Sequence, residues 1–184
     1  MDRRMIDAYL ARSGAESVFH VNERNETLGV VSRATVQRDR LITRSTFIFV
    51  FNSQGQLCMH RRTLHKRLYP GFWDLAAGGV VSAGETYHEG ALRELEEELG
   101  VVDVPLREHL RFFYDAPESR LWGAVFSCVW DGPIRLQPEE VLEVRWIDPA
   151  SDWQRPGEQY TPDSQLALKL MRERQRRPRR MQDD

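Results

Sequence analysis

Three glutamates, Glu94, Glu97 and Glu98, are spaced i, i+3, i+4 along the chain. On an α-helix, residues at that spacing are surface neighbours, so all three carboxylates crowd one side of the helix. Like charges so placed repel by roughly a few tenths of a kcal/mol per pair in water, and a divalent cation removes that repulsion. Hard cations such as magnesium take oxygen ligands and complete their shell with water and substrate phosphates. The chemistry open to such a cluster is metal-assisted attack of water on a phosphate linkage. The plainer alternative is a solvated acidic face, which is what a run such as ELEEE usually is. The residues around it decide between the two.

That context is GGVVSAGETYHEGALRELEEELGV. From Gly79 it reads glycine, five residues, Glu85, seven residues, then Arg93-Glu94-Leu95-Glu96-Glu97-Glu98-Leu99-Gly100-Val101. Seven fixed identities arise by chance at about one start in 10⁹ on average residue usage. The pattern resembles the Nudix box at every defined position. The resemblance implies that Glu94, Glu97 and Glu98 bind magnesium or manganese, with Glu85 reaching back from the loop toward the same cluster. Arg93 precedes Glu94 and suits a charge-assisted fork that fixes a carboxylate. Glu94, Glu97, Glu98 and Arg93 are thus the expected catalytic set. The base that takes the proton of the attacking water is a box glutamate or one from a distant loop, where Glu139, Glu140 and Glu143 are the candidates.

Upstream, HRRTLHKRLYPGFWDLAAGG is similar to the stretch before the box in isopentenyl-diphosphate isomerases, a branch of the same superfamily. The matching residues are Arg61, Arg62, Lys66, Pro70, Gly71 and Trp73. The resemblance makes Arg62 and Lys66 phosphate ligands, tasks suited to a planar guanidinium and a point-charge ammonium, with Trp73 beside them at the substrate. The isomerase reaction needs a cysteine followed two residues later by a metal-binding histidine, and here those positions are Ala77 and Gly79. The scaffold therefore resembles the isomerases while the box resembles a hydrolase. The expected activity is metal-dependent hydrolysis of a nucleoside diphosphate linked to some group X. A non-catalytic diphosphate-binding module and a prenyl-diphosphate isomerase are the alternatives. Nucleotide sugars, dinucleotides, nucleoside triphosphates and coenzymes all remain open as substrates, and the resemblance admits a homodimer.

The elements that must position these groups follow from patterning. Residues 86–99 are the clearest helix: Thr86 and Glu89 form a capping box and Gly100 stands just past the end. On a helical wheel His88, Ala91, Leu92, Leu95 and Leu99 make the core face, with the three glutamates on the far side. Residues 17–22 and 27–32 read as a hairpin around a polar turn, 33–40 as a short helix, and 45–51 (STFIFVF) as a buried strand. Strands are also expected at 57–62, 107–115, 121–130 and 143–147. An amphipathic helix is expected at 162–176, with Leu166, Ala167 and Leu170 inward. Residues 1–16 form a loose arm or short helix, and 177–184 a frayed tail. The fold class is α+β: the Nudix fold as an α/β/α sandwich, a mixed sheet with the loop–helix, in one domain with its core at 45–150.

The 184 residues carry 29% charged and 41% apolar residues and a net charge of −2. That balance argues against nucleic acid or an anionic membrane as partner, and no apolar run is long enough to cross a bilayer. With no apolar leader at the start, a cytoplasmic protein is expected. Cys58 and Cys128 lie in apolar stretches and read as buried, reduced thiols. His60, His65 and His88 show no metal-ligand spacing. Phe112, Phe113, Tyr114 and Trp122 are residues able to stack on a base but read as sheet core. The arginines of RERQRRPRR read as a solvated helix end.

Overall fold

The computed structural model describes residues 3–176. Its centre is β3 (Thr43–Phe51), whose run of apolar residues has no polar alternation because both faces are covered. Phe47 and Phe49 point to one core with Leu75, Val125, Ala167 and Met171. Ile48 and Val50 point to the other, with Ala91, Leu95, Leu99 and Phe126.

The main sheet contains β3, β4 (Leu57–Arg62), β5 (Trp73–Asp74), β6 (Arg107–Asp115), β7 (Arg120–Val129) and β8 (Val141–Ile147). Its order is β5-β4-β3-β7-β6, with β8 also paired to β4. β3 and β7 are parallel over nine register pairs and the other ladders are antiparallel, so the sheet is mixed. Helix α3 (Tyr87–Leu99) covers one face and α4 (Pro162–Arg176) the other. This is the expected α/β/α sandwich. In α4 the inward residues are Ala167, Leu168 and Met171, while Leu166 and Leu170 pack at the margin of that core. The buried stripe is thus turned by one residue from the sequence expectation.

Before the sheet come α1 (Arg3–Ala15), the hairpin β1 (Ser17–Val21) and β2 (Thr27–Ser32), and α2 (Arg33–Asp39). α1 packs on α2, and β1 packs beside β3. Ser32 caps α2 by accepting from the Thr35 amide. Together they form a cap over one end of the sheet. The expected tail at 177–184 lies outside the described residues. No helix among the described residues is long and apolar enough to cross a membrane.

The capping box of α3 is present: Thr86 accepts from the Glu89 amide while Glu89 accepts from that of Thr86. Gly100 ends the helix in the left-handed region at φ 65°. The helix is rotated from the wheel assignment. His88 is exposed and Leu92 is 36% exposed, whereas Glu94 and Glu98 are buried beside Ala91 and Leu95. A wheel sorts residues by polarity, and here two carboxylates lie beneath the preceding loop rather than in solvent.

Candidate active site

The loop before α3 runs antiparallel along β3. Ala77 exchanges both backbone hydrogen bonds with Ile48, the Thr46 amide donates to Gly79 O at 2.9 Å, and the Val81 amide donates to Arg44 O at 2.9 Å. Two glycines make this approach feasible. Gly78 sits at φ 142°, where a Cβ would stand 2.1 Å from Thr46 O. At Gly79 a Cβ would stand 2.6 Å from Glu94 Oε1. The first box glycine is therefore a matter of room for a carboxylate, not of the unusual dihedral its place in a loop suggests. The Gly78 amide donates to Glu98 Oε2 at 2.9 Å, binding the loop to the buried glutamate.

Arg93 organises the rest. Its Nε and Nη2 grip Glu85 Oε1 and Oε2 at 2.7 and 3.0 Å, a bidentate fork. Its Nη1 bridges Glu94 Oε1 at 2.9 Å and Glu97 Oε2 at 3.1 Å, and Nη2 also donates to Val80 O at 3.2 Å. Glu85 was expected to reach the cation cluster. Here both its oxygens face Arg93, and Oε2 also accepts from the Ser82 amide, so it anchors the arginine instead. Burial pushes up the carboxyl of Glu94, with Arg93 pulling the other way, and burial followed by the charge of Glu140 pushes Glu98 well up. Glu97 is half exposed at the mouth.

A cavity of about 570 Å³ opens beside this helix, between the sheet end and the α1–α2 cap. Glu94, Glu97 and Arg93 line one wall; Arg62, Lys66, Asp74 and Glu140 line another. The structure thus brings the expected phosphate ligands Arg62 and Lys66 to the same cavity as the box, each already paired. Arg62 Nη1 meets Asp74 at 3.2 Å, and Lys66 Nζ donates to Glu140. Asp74 also accepts from Thr161 at 3.0 Å. Of the three distant glutamates, Glu140 alone lines the cavity. Glu143 pairs with Arg61 at the surface, and Glu139 offers its backbone carbonyl to Thr63 and His65.

Trp73 is not at the cavity. It is 2% exposed, part of the α4-side core, with the Arg145 guanidinium 4.2 Å above its ring. Its place beside a Pro-Gly turn suggested a substrate contact, but β5 pairs with β4 and turns the indole inward. Trp122 stacks on Phe113, and Phe112 belongs to the core. Tyr9 and Arg33 of the cap reach the cavity without any motif to announce them. Tyr9 donates its hydroxyl to Glu140, 131 residues away, a contact that only tertiary folding creates.

Among the described residues no three His, Cys, Asp or Glu side chains converge on one point ready for an ion. Instead the Arg93 Nη1 cation already bridges Glu94 and Glu97. Two carboxylates bridged by a cation at a cavity wall, with a third buried one helical turn behind Glu94, are a hard oxygen donor set of the kind magnesium and manganese prefer. The residues therefore fit a divalent ion, which Glu94, Glu97 and Glu98 would hold and which would supply Lewis-acid chemistry.

A mixed sheet between two helices, with a glycine-bounded loop and a carboxylate helix at a cavity, is the architecture of a Nudix hydrolase. The chain belongs to the Nudix hydrolase family: the profile of the NUDIX domain matches residues 41–163. It is 54% identical over 164 residues to an uncharacterized Nudix hydrolase of Pseudomonas aeruginosa, covering 89% of this chain and 97% of that one. With the uncharacterized Nudix hydrolase YfcD of Escherichia coli K12 it shares 44% over 162 residues, 88% and 89% of the two chains. The crystal structure of DR0079 from Deinococcus radiodurans superposes with a TM-score of 0.70 at 31% identity, covering 86% of this chain and 98% of that one. Nudix hydrolases act on compounds in which a nucleoside diphosphate is linked to another group, and generally use divalent metals such as Mg²⁺ or Mn²⁺.

Proposed function

We propose that this protein hydrolyses the diphosphate linkage of a nucleoside diphosphate joined to a group X, with Mg²⁺ or Mn²⁺ held by Glu94, Glu97 and Glu98. The observation that supports this most is the shared cavity: Glu94, Glu97 and two cations suited to phosphate, Arg62 and Lys66, line one space, with Glu98 buried behind Glu94. When bound, the metal supplies Lewis-acid polarisation of the phosphate oxygens. Arg93 fixes the directions of Glu94 and Glu97, and its fork to Glu85 fixes Arg93. The buried loop–helix contact, Gly78 amide to Glu98, holds the third carboxylate behind them.

Glu140 has both oxygens occupied, by the Tyr9 hydroxyl and by Lys66. Burial, which alone would raise its carboxyl, is outweighed by Lys66 and the two hydrogen bonds, which hold it well below the usual carboxylate range. A carboxylate so held is a weak proton acceptor. Its role is to aim Lys66 into the cavity, and the proton of the attacking water goes to a box glutamate.

The run from Arg61 to Trp73 supports placing the chain near the isopentenyl-diphosphate-isomerase-like branch. The chemistry of that branch lacks its thiol here. Ala77 stands in the cysteine position, and Cys58 and Cys128 are core residues whose thiols burial pushes up to about 12 and about 11. The test is a panel of nucleotide sugars, dinucleotides, nucleoside triphosphates and coenzymes, assayed for phosphate products with Mg²⁺ and with EDTA, beside isopentenyl diphosphate assayed for isomerisation. Metal-dependent cleavage of one panel class supports the hydrolase. Isomerisation without phosphate release overturns it.

A further inference from the structure

The cations around the cavity are held by their acids in different ways. Arg62, Lys66 and Arg93 each face an internal acid: Asp74, Glu140, and the Glu85–Glu94–Glu97 group. A diphosphate that enters must compete with those acids for them. Arg33, the first residue of α2, is placed differently. It lines the same cavity from the cap, before residue 41, where the matched NUDIX segment begins. Its amide donates to Glu16 O at 2.8 Å, and its Nη1 donates to Ser13 Oγ at 3.1 Å and to Glu16 Oε2 at 3.0 Å. Backbone and side chain are thus fixed from one side only. Glu16 is about half exposed, while the Arg33 side chain is 23% exposed. A guanidinium carries five N–H donors. Among the described residues the donating nitrogen of Arg33 is Nη1, and Nε and Nη2 have no acceptor. Arg33 lines the same cavity as Glu94, Glu97 and Glu140.

We propose that Arg33, carried by the α1–α2 cap, is a substrate-binding residue that takes the phosphate oxygens turned away from the box carboxylates. A planar fork with three unused donors, anchored through its remaining nitrogen, suits a tetrahedral oxyanion. The cap then does more than roof the sheet: it supplies a phosphate ligand that the box and the Arg62–Lys66 pair do not. The inference rests on the diphosphate reading of the site, though not on turnover.

The test is binding of inorganic pyrophosphate in the presence of Mg²⁺, measured by calorimetry on the full chain, for wild type, Arg33→Gln, Arg33→Lys and Glu16→Gln. Arg33→Gln weakens binding about ten-fold or more, the scale of a lost charge-assisted hydrogen bond. Arg33→Lys recovers part of the loss. Glu16→Gln, which breaks the same ion pair but keeps the guanidinium and an acceptor for it, stays within about three-fold of wild type on that scale. Mn²⁺ binding to the protein alone is retained in all three variants, because each keeps Glu94, Glu97 and Glu98. Equal losses in Arg33→Gln and Glu16→Gln overturn the inference in favour of a purely structural ion pair. Unchanged affinity in Arg33→Gln, or no pyrophosphate uptake by wild type, also overturns it. A protein that binds pyrophosphate through Arg33 yet cleaves nothing in the substrate panel leaves the inference standing while the hydrolase reading falls.

Discussion

Arg93 holds Glu85 through both carboxylate oxygens, at 2.7 and 3.0 Å, across eight residues and the start of α3. Three box glutamates that look like members of one acidic cluster thereby divide their work: Glu85 fixes the arginine, and the arginine fixes Glu94 and Glu97. Arg93→Lys keeps the charge but cannot make the fork. Expected outcomes are a loss of about 2 kcal/mol of stability, the scale of a hydrogen bond to a charged group, and weaker Mn²⁺ binding. Urea denaturation and manganese titration check them. Unchanged values in both would show that the fork organises nothing.

Glu98 separates stability from activity. Burial works against its charge, and the Gly78 amide needs only an acceptor oxygen there. Glu98→Gln keeps an acceptor and removes the buried charge, so its melting temperature rises above wild type at pH 8. Metal-dependent turnover falls by about 10²-fold or more. A variant both inactive and less stable would show that the carboxylate is needed for the fold.

The two loop glycines give different outcomes. At Gly78 a methyl group meets backbone oxygen at 2.1 Å in a strained dihedral, so Gly78→Ala costs about 3 kcal/mol or more of stability. At Gly79 the methyl meets the movable end of Glu94 at 2.6 Å. Gly79→Ala therefore folds, with the carboxylate displaced and metal affinity lowered. Thermal melts and manganese titration of the two variants distinguish the cases.

His60 sets an acid limit to stability. It is fully enclosed in β4, and burial lowers its pKa to about 4 from an ordinary 6.5, with Asp74 opposing. The fold binds the neutral ring, and the unfolded chain takes up the proton first. Its contribution is complete above pH 6.5 and disappears as the pH falls toward 4, in total about 3 kcal/mol at about 1.4 kcal/mol per unit. His60→Leu should flatten the wild-type dependence of unfolding free energy on pH in that window. A variant with the same slope as wild type would remove His60 as the cause.

The elements were legible where local chemistry dictates them. The Thr86–Glu89 capping box, the αL position of Gly100 and the two-faced apolar run of β3 each need only neighbouring residues. The box spacing put the expected chemistry on α3, whose Arg93, Glu94 and Glu97 line the cavity. Its surroundings were not legible, because they come from tertiary contact. Polarity alone put Glu94 and Glu98 in solvent, while the loop through Gly78 and Gly79 covers them. Trp73 looked like a binding residue by neighbourhood and is core by strand pairing. Arg33, Tyr9 and Asp74 carry no motif; their meeting at the cavity depends on the cap docking on segments far along the chain.

The most direct test is the rate of phosphate-product release from the nucleoside diphosphate panel at saturating Mg²⁺, wild type beside Glu98→Gln, with EDTA as control. Wild-type turnover that EDTA abolishes and that falls by about 10²-fold or more in the variant is the predicted result. Equal turnover in wild type and variant, or turnover that survives EDTA, would contradict the assignment of the chemistry to the box carboxylates.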